Sequence, residues 1–430
     1  MPAKLTVRNV YKIFGNAPQQ ALDLLAQGES KEAIFEATGQ TIGVQDANFS
    51  VEEGQIFVVM GLSGSGKSTL IRMLNGLIRP SSGEILIDNE DVAACSVEQL
   101  RRIRRNKIAM VFQHFALFPH RTILDNAAYG LKIKGVDAAE RRRRALAALE
   151  QVGLAAWADS YPADLSGGMQ QRVGLARGLA TDPQILLMDE PFGALDPLIR
   201  KGMQEELLAL QKTLKKTIIF ITHDLNEALM LGDRIAIMKD GRFVQVGTAQ
   251  DIVSNPADDY VAAFVADIDR GRVFTAENVA HRPAVVPLDD STAGDAVKTM
   301  EDQNLNAVYV MDGNQIAGVV TYQQAAAADR ESGPSDVPIQ DVLITDYPTT
   351  DPETQLADLY GQASTGLPIA VTDAKNRLVG VVEPENVFAQ ISSDIQTAGT
   401  EAVAPPAAEA EAAPETAAAD RPAPEKLPAL

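Results

Sequence analysis

Cysteine is almost absent from this sequence: its 430 residues contain one, Cys95. That excludes an internal disulfide, and the surroundings of Cys95 offer no metal-ligand spacing. Long apolar runs are missing too; none approaches the roughly 18 consecutive residues that a membrane-spanning helix requires. The first residues, MPAKLTVRNVYKIF, lack the long apolar core and cleavage site of a secretory signal. Together these absences predict a cytosolic protein. Positive charge is also in deficit, with 38 Lys and Arg against 58 Asp and Glu. An acidic molecule is repelled by anionic lipid and by nucleic acid. If this chain works at a membrane, a protein partner must hold it there.

The apolar fraction of 46% is ordinary for a globular protein, and the length suffices for two or three domains. Three regions differ in texture. Residues 1–270 alternate short apolar strands with amphipathic helical stretches, the pattern of an α/β domain with a largely parallel sheet. Residues 275–392 contain an internal repeat: Ala307-Val308-Tyr309-Val310 with Ile316-Ala317-Gly318-Val319-Val320 recurs as Ile369-Ala370-Val371 with Leu378-Val379-Gly380-Val381-Val382. Each unit reads as helix, strand, turn, strand, helix, with hairpin turns expected at Asp312-Gly313 and Lys375-Asn376. Residues 396–430 are Ala, Pro and Glu in the main; they lack the large apolar side chains that offset ordering entropy and are expected to be disordered. Charge follows the same division. Residues 271–430 hold 25 acidic and 8 basic side chains, a net −17 of the chain's −20, which leaves −3 for residues 1–270.

An expected strand over residues 55–60 runs into Gly61-Leu62-Ser63-Gly64-Ser65-Gly66-Lys67-Ser68-Thr69 and then a helix through Leu77. This is G-x-x-x-x-G-K-[ST] in its strand–loop–helix setting, the ATP phosphate cradle of P-loop NTPases. Its glycines let backbone N–H groups turn inward, the helix N-terminus adds partial positive charge, and Lys67 adds a full one. The Ser68 hydroxyl is expected on Mg²⁺. A second strand, Ile185-Leu186-Leu187-Met188, delivers Asp189 and Glu190 at its end. That is the Walker B arrangement, with Asp189 orienting Mg²⁺ and Glu190 polarising the attacking water. Taken alone, paired carboxylates at a strand end are commonly a solvated turn; the phosphate cradle makes the chemical reading the better one.

Leu165-Ser166-Gly167-Gly168-Met169-Gln170-Gln171-Arg172, shortly before Asp189, resembles the signature sequence of ABC ATPases. By itself it also fits a plain helix cap. As a signature, Ser166 and the N–H groups of Gly167 and Gly168 form a second anion-binding helix end. The resemblance implies that this end serves ATP bound to the opposite subunit of a homodimer, and that Asp196 in Ala194-Leu195-Asp196 also acts across that interface. It further implies that Gln113 touches both Mg²⁺ and the attacking water and that His223 contacts the γ-phosphate. Lys12-Ile13-Phe14-Gly15 resembles the segment whose aromatic ring stacks on adenine. Phe14 is the first choice for that ring and Tyr11 the second, with core packing the alternative for Phe14.

Over residues 1–270 the chain resembles the ATP-binding subunits of glycine betaine/proline osmoprotectant importers. The most similar stretches are 58–75, 107–113, 160–180, 194–200 and 232–247. An added helical segment over 16–41 is a further family trait, and the paired repeat resembles a tandem CBS module. The implied fold is an ABC cassette (a RecA-like core with a β-subdomain and a helical subdomain) followed by CBS repeats. The implied activity is ATP hydrolysis energising solute import, at the cytoplasmic face of a bacterial inner membrane. The implied partners are a second cassette, integral-membrane permease subunits and a periplasmic or lipid-anchored solute-binding protein. The alternatives are import of another solute, such as choline or proline, and a non-transport ABC ATPase.

Phe112-Gln113-His114-Phe115-Ala116-Leu117-Phe118-Pro119 is aromatic-rich and in the family borders the groove for the membrane subunit; docking and burial are equal readings for Leu117 and Phe118. Arg141-Arg142-Arg143-Arg144 precedes apolar residues at helical spacing without interleaved aromatics. It reads as the solvated start of a helix, and nucleic acid is not expected as a partner. In CBS repeats that bind adenine nucleotides, an Asp near the end of G-h-h-[ST]-x-x-D holds the ribose. Here Gln324 stands at that place in the first repeat, while Glu383 and Asn386 replace the Thr and Asp of the second. The acidity of the region points instead to a response to ionic strength, since salt screens like-charge repulsion, with simple dimerisation as the alternative.

Overall fold

The structure, a computed structural model, describes residues 3–113, 115–332 and 337–389. His114 and the 396–430 tail lie outside the described residues.

The cassette begins with β1 (Ala3–Phe14), followed by helices α1 (Pro18–Ala26) and α2 (Lys31–Thr38) and by β2 (Thr41–Glu52). The expected helical addition is therefore two helices, with Thr41 already in a strand. Ser30 starts α2 by accepting the Ala33 N–H, and Gly39 ends it in the left-handed region at φ 67°. Then come β3 (Ile56–Met60), α3 (Lys67–Leu74), β4 (Ser82–Ile87), β5 (Glu90–Asp91), α4 (Val97–Asn106) and β6 (Ile108–Val111). A helical subdomain follows, with α5 (Ile123–Ala127), α6 (Tyr129–Ile133), α7 (Ala138–Gln151) and α8 (Gly167–Ala180). The core closes with β7 (Ile185–Asp189), α9 (Pro197–Leu214), β8 (Thr217–Thr222), α10 (Leu225–Leu231), β9 (Arg234–Lys239) and β10 (Arg242–Gly247).

These strands form two sheets. One is antiparallel in the order β2-β1-β4-β5; the other runs β10-β9-β3-β8-β7-β6 and is parallel except for the β9–β10 hairpin. Every residue of β3 is buried, and strand alternation divides them between two faces. Phe57 and Val59 join Ile219, Ile221, Leu187 and the antiparallel sheet in one core; Ile56, Val58 and Met60 join Phe220, Met188 and the helices in the other. The three strands β3, β7 and β8 therefore end at fixed heights beside each other, and the loops after them carry the candidate chemistry.

The four arginines 141–144 lie on α7, capped by Asp137. Arg143 pairs with Glu140, Arg141 donates to the Val136 carbonyl and Arg144 to that of Ala180 at the end of α8, so these three are engaged within the helical subdomain. Phe115 and Leu117 are half-buried against the main core. Phe118 packs at 4.5 Å from the Tyr129 ring under the Arg121 guanidinium. The buried side chain of Asn126 bonds both the N–H and the carbonyl of Phe118. Phe115, Leu117 and Phe118 are thus partly buried within the cassette, while Phe112 is exposed.

After the cassette, the repeat appears as two three-stranded sheets of one design. The first is β11 (Val285–Pro287), β12 (Ala307–Asp312) and β13 (Gln315–Thr321); the second is β14 (Thr349–Thr350), β15 (Ile369–Thr372) and β16 (Leu378–Val382). In each, a parallel pair precedes a hairpin. The first hairpin turns at Gly313-Asn314, one residue later than expected, because Asp312 keeps its strand pairing with Gln315 and Gly313 takes φ 60°. The two sheets meet through Ala307, Tyr309, Val319, Ala370 and Val381, and the buried Tyr309 hydroxyl donates to the Pro368 carbonyl at 2.6 Å.

The two repeats relate differently to the cassette. The first has its own core around Val308, Val310 and Val320. The second shares the cassette's: Leu356, Leu359, Ile369 and Val382 belong to the same cluster as Ile252, Val261 and Phe274. A chain ended at residue 270 loses Phe274 and all of the second repeat from that cluster. We expect Leu356→Ala, at a site 0% exposed, to cost about 2–5 kcal/mol, and to lower the cassette's melting as well as the repeat's, observed calorimetrically as one shifted transition.

Candidate nucleotide site

The loop 61–66 leads from β3 into α3, and Gly66 is the N-cap of that helix at φ 106°. A Cβ on Gly66 would stand 2.4 Å from the Gly43 carbonyl oxygen, and one on Gly61 2.1 Å from that of Met238. Both positions require glycine for space as well as for φ. Lys67 is buried, and its ammonium donates to the carbonyls of Gly61 and Leu62 at 2.7 and 3.0 Å, curling the loop around itself. Burial holds its pKa below the ordinary value, while Glu190 and Asp189 act against that. The Ser65 hydroxyl is buried without a hydrogen-bond partner among the described residues. Such an orphaned group inside a loop of inward N–H donors fits an anion that completes it. Ser63 and Gly64 are exposed at the loop's tip, and Thr69 is half-buried in the first turn of α3.

At the end of β7, Asp189 lies with one carboxylate oxygen 3.4 Å from the Ser68 hydroxyl. Burial pushes its pKa up, opposed by the charge of Arg72 and assisted by that of Glu190. A desolvated carboxylate beside a hydroxyl is a donor set suited to a hard divalent cation. Glu190 follows with φ 45°, a left-handed conformation that costs a non-glycine residue of order 1 kcal/mol. The turn brings one carboxylate oxygen 3.3 Å from Gln113 Nε2 and 3.1 Å from His223 Nδ1. Gln113 comes from the loop after β6 and His223 from the loop after β8, so three strand ends converge on Glu190.

The Phe14 ring stands beside this loop: a Cβ at Gly43 would lie 2.7 Å from the Phe14 ring and 3.4 Å from Thr69 Cγ2. Phe14 is 41% exposed and thus free to stack. Tyr11 pairs with Ser82 on the antiparallel sheet, and burial and then Asp46 raise its pKa.

Ser166 is the N-cap of α8 and accepts the Met169 N–H at 3.4 Å. Gly167 and Gly168 form the first turn, whose N–H groups have no intrahelical acceptor. Asp196 caps α9 in the same way, toward Ile199. Among the described residues, no hydrogen bond joins Ser166 or Asp196 to the phosphate loop, Asp189 or Glu190. One chain thus brings together residues 61–69, Gln113, Asp189, Glu190 and His223, and among the described residues leaves Ser166 and Asp196 without a hydrogen bond to them.

In the repeats, Thr321 spends its hydroxyl on Gln324, and Glu383 faces His281 at 3.2 Å with its carboxyl pKa raised by burial. Sequence reasoning passed over Arg200, Gln204, Thr222, Asp224 and Glu227, which lie behind His223. Their signal was Glu227, an acidic residue on the apolar face of α10.

This fold and this site define an ATPase of the ABC transporter class. The sequence profile of the ABC transporter family matches residues 44–193, and that of the CBS domain matches residues 276–330. The glycine betaine transport ATP-binding protein of Bacillus subtilis is 50% identical over 383 residues, covering 89% of this chain and 90% of its own. The glycine betaine/proline betaine transport system ATP-binding protein of Salmonella typhimurium is 50% identical over 89% of this chain and 96% of its own. The solved structure of cbiO1 from Clostridium perfringens, part of the ABC transporter complex cbiONQ, is 27% identical with a TM-score of 0.50, over 60% of this chain and 93% of that one. The chain therefore belongs to the ATP-binding subunits of ABC transporters and carries a CBS domain behind the cassette. Among the described residues, no helix is long and apolar enough to cross a membrane.

Proposed function

We propose that this chain hydrolyses ATP to energise uptake of glycine betaine-type compatible solutes through integral-membrane permease subunits. It does so as a pair of cassettes at the cytoplasmic face of the membrane. The observation that carries the hydrolytic part is the convergence of Gln113 and His223 on Glu190 beside the phosphate loop. Lys67, the N–H groups of 61–69 and the α3 dipole hold the phosphates. Glu190 takes the proton of the attacking water, which Gln113 and His223 help to orient. Ser68, Asp189 and Gln113 would hold Mg²⁺, which would supply charge neutralisation of the phosphate oxygens. Ser166, Gly167, Gly168 and Asp196 of the partner cassette close the far side of the γ-phosphate.

Phe14 carries the adenine. We expect Phe14→Ala to raise the KM for ATP about tenfold, the 1–3 kcal/mol of a base–aromatic stack, and to leave kcat unchanged. Tyr11→Ala is expected to leave both unchanged; steady-state hydrolysis of both variants checks the assignment.

The solute assignment rests on the similarity to glycine betaine transport proteins, because the cassette itself does not touch the cargo. A solute-binding protein outside the membrane completes the system in this reading. Uptake of radiolabelled betaine, choline, proline and trimethylamine N-oxide by cells carrying the chain with its permease tests it. The expected result is betaine in preference to the others; uptake of another solute alone would replace the label and leave the hydrolytic reading intact.

A further inference from the structure

His223 sits between Thr222 and Asp224, the first reaching Arg200 through Glu227 and the second directly, and Arg200 holds the loop carrying Asp196. On one side, the Thr222 hydroxyl donates to Glu227 Oε2 at 2.6 Å and accepts the Asp224 N–H at 2.9 Å. On the other, Asp224 caps α10 with one oxygen and receives Arg200 Nη1 on the other at 3.3 Å. Arg200 also donates from Nη2 to the carbonyl of Leu195, the residue before Asp196, at 3.2 Å. Glu227 closes the ring: its Oε1 accepts from Gln204 of α9 at 3.0 Å and lies 3.8 Å from Arg200 Nε. Glu227 is 4% exposed and Thr222 1%.

A carboxylate so deeply buried is retained against a large desolvation cost. Burial raises the Glu227 pKa and the Asp224 charge adds to that; Thr222, Arg200 and Gln204 counter it. Both of its oxygens have partners, one on the His223 loop and one on the helix that Asp196 caps. Satisfied polar networks of this kind fix one arrangement of the elements they join.

We propose that Glu227 is a positioning residue that, with Arg200, clasps the loop of His223 to the loop of Asp196, so that one chain's γ-phosphate contact is set by the contact it makes across the dimer. This rests on the roles given above to His223 and Asp196. Glu227 touches neither nucleotide nor water; it acts through His223.

A carboxamide at 227 keeps the volume but not the charge: its NH₂ forces either the Thr222 hydroxyl or the Gln204 amide to turn and accept, and Arg200 loses the buried anion 3.8 Å from its Nε, so one end of the clasp is weakened. Glu227→Gln should lower kcat roughly tenfold to a hundredfold, the cost of a misplacement of about 1 Å, with the KM for ATP changed less than about threefold. The decisive arm repeats the substitution in a His223→Ala chain, where it should cost less than about twofold because the residue it acts through is gone. Should Glu227→Gln fail to fold, Thr222→Val opens the same end and Thr222→Ser, which keeps the hydroxyl, should restore turnover. An equal fractional loss in both backgrounds, or a loss that follows the melting temperature of each variant, would overturn the clasp. Undiminished hydrolysis by His223→Ala alone overturns the role of His223, and the clasp with it, and is recognised before the double variant is made.

Discussion

Replacing Glu190 by Gln is expected to lower ATP hydrolysis by about 10²–10⁴-fold, the usual contribution of a positioned general base, while ATP binding persists. The side chain keeps its shape, so Gln113 and His223 still have a partner at 3.3 and 3.1 Å. What disappears is the capacity to accept a proton. With binding intact and turnover stopped, the variant should accumulate as an ATP-loaded pair of chains, visible as a doubled mass by size-exclusion chromatography with light scattering. A variant that hydrolyses ATP at the wild-type rate would remove Glu190 from the mechanism.

The second large effect belongs to Lys67. Its ammonium is buried and pinned to the carbonyls of Gly61 and Leu62, which aims the remaining donor at the space inside the loop. Removing one partner of a buried charge pair costs about 3–5 kcal/mol, so Lys67→Ala is expected to weaken ATP binding roughly 10²- to 10³-fold. Equilibrium titration with a fluorescent ATP analogue measures it. Because the ammonium also organises the loop, some of the loss arises from the free protein, and the analogue's adenine contact at Phe14 should survive as residual binding.

Much of this site could be read from the sequence because its parts are contiguous. The phosphate loop, Asp189-Glu190 and Ser166-Gly167-Gly168 are each a single short segment whose backbone course follows from residue type and spacing. Gln113 and His223 came from family resemblance, and their meeting at Glu190 needed β6, β7 and β8 to be neighbours in one sheet. The clasp behind His223 was legible only in Glu227, an acidic residue among the apolar positions of α10; Arg200 and Gln204 are ordinary helix residues, and the partnership depends on how α9 and α10 pack. The choice between Phe14 and Tyr11 was also open, since both are aromatic residues of one strand; a register shift between Lys12 and Ile13 in the β1–β2 pairing sets their surroundings apart. The repeat pattern marked Ile369-Ala370-Val371 as a strand. It could not tell that Ile369 and Val371 are buried against the same cluster as Ile252 and Phe274, because burial has no address in a sequence.

The central claim is that one chain holds half of each site. Ser166, Gly167 and Gly168 open α8 with helix-end donors, and among the described residues no hydrogen bond joins Ser166 to the phosphate loop. The most direct measurement mixes two inactive variants. Lys67→Ala lacks a phosphate loop able to hold ATP, and Ser166→Arg places a bulky cation on the second helix end without touching the first. Each alone should hydrolyse almost no ATP. Mixed in equal amounts, they should recover hydrolysis, because half of the pairs unite the intact phosphate loop of one chain with the intact signature helix of the other. No recovery on mixing, or full activity of Ser166→Arg alone, would contradict the account.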